Sequence, residues 1–213
     1  MDIPFLIFQF LVLIFSVIIH EVSHGRMAEK LGDDTAKIAG RLTLNPIKHI
    51  DPFGSILLPL ILFFTHSPVM IGWAKPVPYN PYALKKDLRY GPLKVALAGP
   101  FSNILVLLVV GILARVGFGS FSPNMIALLG YIAFLNISLA VFNLIPIPPL
   151  DGSRILPLIF PKLAQKLENI GMLGIFLVII FVYFFSGIIV TISAYIFALV
   201  AGPQVFLTTL NFF

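Results

Sequence analysis

The sequence predicts an all-α polytopic membrane protein, and two observations predict it. Of its 213 residues 59% are hydrophobic and only 11% are charged, with a mean hydropathy of +1.02. A soluble surface carries roughly a quarter charged residues, so this chain cannot cover itself in water. The apolar residues also fall into six long stretches, and most charge lies between them, in 26–51 and 73–89. About five to six transmembrane helices are expected, with a re-entrant segment and a short β-strand element near the candidate site. The length fits one domain over 1–213, with a core at 1–160 and C-terminal helices at 165–210.

The first stretch runs from Ile3 to His24. It reads as a retained span and not as a signal peptide, because Asp2 is its only early charge and no small-residue cleavage site follows. The second, 54–72, contains Pro59 and is broken at Thr65-His66-Ser67-Pro68. Asp51 is placed to cap the segment starting at Pro52-Phe53. The third stretch is Pro92–Val116 and the fourth Asn124–Ile147. The last block, 170–210, is too long for one crossing, and a bend near Ser186-Gly187 gives a fifth and a sixth segment. No repeat or low-complexity tract is present.

Composition excludes several functions. With no cysteine there are no disulfides and no thiolate metal ligands. The formal charge of +5 does not indicate nucleic-acid binding: in so apolar a chain, basic residues mark cytoplasmic loops and touch anionic lipid.

Chemistry enters at His20-Glu21-Val22-Ser23-His24, an HExxH pattern closing the first span. In a helix, residues four apart share a face, so the two histidines can hold one metal. Glu21 is then close enough to take a proton from a metal-bound water. Ionisable groups at full membrane depth cost roughly 2.5–3.5 kcal/mol each and are kept for function. A second acidic group, Asp151, follows Pro146, Pro148 and Pro149, which end the fourth helix. Its carboxylate either completes a two-histidine site as third ligand or, with Gly152, forms an ordinary turn.

HEVSHG, AGPFSN at Ala98–Asn103 and NLIPIPPLDG at Asn143–Gly152 together resemble the site-2 protease family of intramembrane zinc metalloproteases. Gly40–Pro46 (GRLTLNP) and Gly72–Pro78 (GWAKPVP) are similar to its small branch, without PDZ or CBS domains. The resemblance covers roughly residues 1–160. It implies one zinc per chain, held by His20, His24 and Asp151, with Glu21 as general base. It also implies a substrate-positioning role for Asn143, which as a residue before a proline break could equally cap freed carbonyls. The implied partner is a membrane-protein substrate cut in or near a transmembrane segment.

Topology can be argued without the family. For the end of the first span to meet Asp151, one of the two intervening stretches must not cross, and 54–72 is the candidate for a re-entrant or interfacial hairpin. Thirteen of the fourteen Lys and Arg residues then share the metal-site side, Arg115 alone lying opposite. The positive-inside rule makes that side cytoplasmic in an integral, multi-pass protein, and the resemblance to the small bacterial and archaeal branch implies a prokaryotic plasma membrane.

A substrate helix must unwind before its peptide bonds are reachable, and Trp73–Tyr79 is the candidate strand to hold it. Pro76 and Pro78 lack N–H groups on one edge, leaving Lys75, Val77 and Tyr79 to pair with Gly40–Leu44 or with substrate. The alternative is an extended, polyproline-like loop. Gly99, Ser102, Ala96 and Ala98 read as close helix packing, with Asn103 bonding across it. His49 and His66 lack ligand spacing and read as interfacial residues. A transporter relaying ions or protons through His20, Glu21, His24 and Asp151 is the alternative function, although the inverted repeats common in that class are not visible. A zinc-stabilised, catalytically idle scaffold is a third.

Overall fold

The computed structural model describes residues 3–51, 53, 57, 61, 64, 75–168 and 173–212, and every regular element bounded among them is helical. They divide into two compact units, 1–95 and 96–213.

The first unit is built on α1, Ile3–Lys30, whose 28 residues carry no acidic group in the first turn and are apolar enough to cross a bilayer. Its end is sharp. Gly32 adopts a φ of +105°, a left-handed conformation that glycine reaches without a Cβ penalty. Asp33 follows, 1% exposed, and its carboxylate does the work of a hub. One oxygen accepts the Thr35 N–H at 2.9 Å and the Thr35 hydroxyl, fixing the start of the short α2, Thr35–Ile38. The other accepts the Asn80 N–H at 2.6 Å, tying in a distant extended segment. Two 3-10 turns, Pro46–His49 and Pro81–Ala83, each begin at an Asn-Pro pair, with Asn45 and Asn80 accepting the N–H two residues on. Ala28, Leu31, Leu84 and Val95 form the apolar core under these loops.

The segment 75–80 is extended, but no described residue of it belongs to a strand. The expected β-element is therefore not formed over 75–79; Trp73 and Ala74 lie outside the described residues. The physical reason lies in its donors. Pro76 and Pro78 have none, the Lys75 N–H donates to the His49 carbonyl at 2.9 Å, and the Val77 N–H is also engaged within the unit. Arg41 Nη2 donates to the Lys75 and Pro76 carbonyls. Over the described residues this chain is fastened point by point instead of in a ladder. The expected re-entrant hairpin, 54–72, likewise lies outside the described residues apart from isolated positions.

In the second unit α3, Gly91–Gly117, begins just before the boundary and continues as a candidate span, followed by α4, Pro123–Asn143. Ser122 caps α4, accepting the Met125 N–H, with Pro123 at the first helical position. Two short helices, α5 (Leu156–Ile159) and α6 (Pro161–Glu168), precede α7, Leu173–Ala201, and α8, Pro203–Phe212. Leu107, Ala114, Ile126, Ala133, Ile137, Ala140, Phe197, Ala201 and Val205 make the core. Small residues dominate because helices in lipid associate by close approach. A Cβ at Gly130 would stand 1.9 Å from Thr209 Oγ1, so α8 rests against α4 only because that position is glycine. Asn103 and Asn136, both 0% exposed, bond across α3 and α4 at 2.8 Å, as expected of Asn103.

One expectation is not confirmed and one is corrected. Among the described residues four helices are long and apolar enough to cross, so the expected five to six spans are not confirmed. The bend expected at Ser186-Gly187 is absent: α7 runs through it, since neither residue removes a backbone donor. The break falls at Gly202, with φ +89°, where Pro203 can only begin a new helix. At roughly 1.5 Å per residue, α8 is too short to cross.

Burial alone would raise the Asp33 carboxyl, but the bonds from Thr35 and Asn80 outweigh it and hold it below the ordinary 3.8. A lowered folded value means that its stabilisation is fully present above pH 3.8 and is lost as pH falls through the folded value. Asp33→Ala should cost about 2 kcal/mol or more by stranding the Thr35 and Asn80 donors. Asp33→Asn should flatten the acid limb of a plot of unfolding temperature against pH, measured in detergent.

Candidate metal centre

His20 and His24 stand one turn apart on α1, 6% and 9% exposed. Their rings meet edge to face with centroids 4.7 Å apart. Ligand atoms of His20, Glu21 and His24 all lie within 4.8 Å of one another, a cluster that one cation can bridge. Helical spacing alone produces this grouping, and the surrounding chain orients it. His24 Nδ1 lies 2.7 Å from the Val95 carbonyl, so the proton on that nitrogen donates to Val95 and Nε2 keeps its lone pair for a metal. Glu21, half-buried, accepts the Val77 N–H on Oε2 at 2.8 Å. Two imidazoles and a carboxylate, in a chain without thiols, are a donor set that suits zinc.

Against known proteins, the model of peptidase family M50 matches residues 119–187. The relative named "Putative zinc metalloprotease YwhC" of Bacillus subtilis is 42% identical over 187 residues, covering 83% of this chain and 80% of its own length. The chain belongs to peptidase family M50. This is the site-2 protease family that the motifs resemble. A second relative, "Putative zinc metalloprotease Rip2" of Mycolicibacterium smegmatis, is 29% identical over 168 residues, covering 78% of this chain and 62% of its own length. The match to "Putative zinc metalloprotease SA1105" of Staphylococcus aureus is 35% identical and spans 25% of that protein. No solved structure matches this M50 chain.

The two remaining expected site residues lie in the second unit. Helix α4 ends at Asn143, earlier than the expected Ile147, and the chain then folds in tight turns up to Asp151, which opens a 3-10 helix. Gly152 is more than a turn residue. A Cβ there would stand 2.2 Å from the Leu144 carbonyl oxygen and 2.7 Å from that of Ile145, so the loop closes on itself only with glycine. Asn143 Nδ2 donates to the Leu139 carbonyl at 3.0 Å, in the last turn of its own helix.

Sequence reasoning missed three residues of the centre: Val95, Gly25, and Val77 in its actual role. Val77 was read as a strand residue that could pair with substrate; it holds Glu21 instead. Gly25 explains the contact. A Cβ at Gly25 would lie 2.7 Å from Val77 Cγ1 and 2.6 Å from Leu42 Cδ2, so the glycine lets the 75–80 segment lie close on α1, next to Glu21. The signal was present in HEVSHG, where the glycine follows the motif directly. His49, expected at the interface, is buried at 2% exposure with Nε2 2.8 Å from the Thr43 carbonyl. His66 lies outside the described residues.

Gly25→Ala should push Val77 away from Glu21 and speed hydrogen exchange of the residue-77 amide by about tenfold or more. Shortening the obstructing side chain in Gly25→Ala/Val77→Ala should restore most of the protection. Equal exchange in wild type and Gly25→Ala would show that the glycine does not set this contact.

Proposed function

We propose that this chain is a zinc-dependent intramembrane endopeptidase. It hydrolyses a peptide bond in or next to a transmembrane segment of a membrane-protein substrate, near the cytoplasmic side. The observation that carries this reading is the His20–Glu21–His24 cluster inside a helix of membrane length. At ~1.5 Å per residue the histidines stand roughly 25–32 Å along α1 from Ile3, near the far limit of a hydrocarbon layer about 30 Å thick. Membership in M50, a zinc-dependent family, supports the metal and the class of reaction.

In this reading His20 and His24 hold one zinc ion and Asp151 is the third ligand. Bound there, zinc supplies a Lewis acid working at neutral pH. Glu21 takes a proton from the attacking water and delivers it to the leaving amine nitrogen. The Val77 N–H on one carboxylate oxygen fixes the plane of the group and leaves the other oxygen to carry the proton. The Val95 carbonyl fixes the ring of His24. Asn143 would help to position substrate, in exchange for its bond to Leu139. With 54–72 not crossing, as the sequence argument has it, thirteen of the fourteen Lys and Arg residues fall on the metal-site side, and the positive-inside rule makes that side cytoplasmic. Family membership sets the transporter reading aside.

Zinc per chain, measured by metal mass spectrometry on detergent-purified protein, should be near one in wild type and clearly lower in Asp151→Ala. Glu21→Gln should keep its zinc and lose peptide-bond cleavage by several orders of magnitude. Zinc retained in Asp151→Ala would remove that residue from the site. Cleavage by Glu21→Gln at the wild-type rate would remove the general base.

A further inference from the structure

A cavity of about 550 Å3 lies against the same 75–80 segment, within the first unit, and the metal centre makes no use of it. Arg41, Lys48 and Lys75 line it, and its described wall contains no carboxylate. Three other cations of this unit are paired, Arg26 and Lys37 with Glu29 and Lys94 with Asp87, whereas no ion pair is seen for Arg41, Lys48 or Lys75 among the described residues. Asp51, next along the chain, accepts the Phe53 N–H. Arg41 is the informative residue. It is only 7% exposed, its Nη2 is spent on the Lys75 and Pro76 carbonyls, and its buried Nε has no partner. A buried guanidinium carries a large desolvation cost, which the charge of an anion in the adjoining cavity would offset.

The rest of the wall indicates what accompanies the anion. Ile47 is 73% exposed and Ile50 is 41% exposed, on either side of Lys48. Isoleucines beside lysines, on an integral membrane protein, form a surface suited to the level of the lipid headgroups.

We propose that this cavity binds the phosphate of an anionic phospholipid, with Arg41, Lys48 and Lys75 as charge partners and Ile47 and Ile50 against the glycerol and first acyl carbons. The occupant braces Arg41, and through it the Lys75 and Pro76 carbonyls, in the segment that carries the Val77 amide. The proposal does not depend on peptidase activity.

The test is native mass spectrometry of delipidated full-length protein titrated with phosphatidylglycerol or with phosphatidylcholine. Phosphatidylglycerol should bind at least tenfold tighter. Lys48→Ala/Lys75→Ala should weaken it about thirtyfold, and each single variant about fivefold, at about one exposed charge each. Both lysine side chains are exposed and neither makes a bond that the fold uses, so the single variants also report should the double variant unfold. Lys162→Ala/Lys166→Ala, on exposed α6, should bind as wild type does. Equal affinity for the two lipids, or unchanged binding in the Lys48 and Lys75 variants, would overturn the proposal. Full displacement by millimolar inorganic phosphate would replace the lipid with a free anion, and stronger binding of a glutamate-rich peptide would replace it with a protein segment.

Discussion

Polar groups inside a membrane-length helix must find partners that lipid cannot supply, and the first unit is organised around that constraint. The hydrogen bond from the Val77 amide to Glu21 is its centre. Backbone donors are the natural choice for such a task, because they carry no side-chain entropy and bring no charge of their own. To deliver one, the chain must lay an extended segment along α1. Gly25 permits the approach, Arg41 and the His49 carbonyl hold one end, and Asp33 holds the other. The prolines at 76 and 78 serve the same end, since they stiffen the segment and leave few donors to go unmet.

The second unit solves a different problem with different means. Its helices have no water-driven reason to associate, so their contacts depend on small residues and a few directional bonds. Ala133, Ala140 and Ala201 are fully buried, and Gly130 admits Thr209. Arg115 closes the exposed end of α7 by donating to the Leu199 and Val200 carbonyls, where a helix presents acceptors without partners and a partial negative charge. The loop that carries Asp151 is held by its own turns and by the closeness that Gly152 allows.

What was legible in the sequence was whatever depends on local rules. The apolar stretches became α1, α3, α4 and α7, and the HExxH spacing produced the cluster, because helical periodicity needs no tertiary knowledge. The prolines before Asp151 ended α4 as expected, though at Asn143 instead of Ile147, since turns that close on Gly152 begin earlier than the prolines do. What was not legible depended on the choice among equally plausible partners. The Val77 amide could pair with a neighbouring strand, with substrate or with a side chain, and only the packing at Gly25 decides. Likewise the bend expected at Ser186-Gly187 does not form, and the helix breaks at Gly202, where Pro203, with its missing N–H, starts a new one.

The buried pair Asn103–Asn136 has a consequence for how α3 and α4 come together. Apolar helix surfaces offer many near-equivalent ways of interdigitating, separated by a slide of one residue or one turn. Two amides that can meet at one setting only convert that continuum into a single register. The pair acts as an alignment pin: its worth lies less in how tightly the helices hold than in the number of wrong alignments it forbids. A chain with two leucines there could pack as firmly and still lose its unique alignment. Because Asn136 also donates to the Ile132 carbonyl, the pin is anchored in its own helix before the partner arrives, so its side chain need not be ordered when the helices meet.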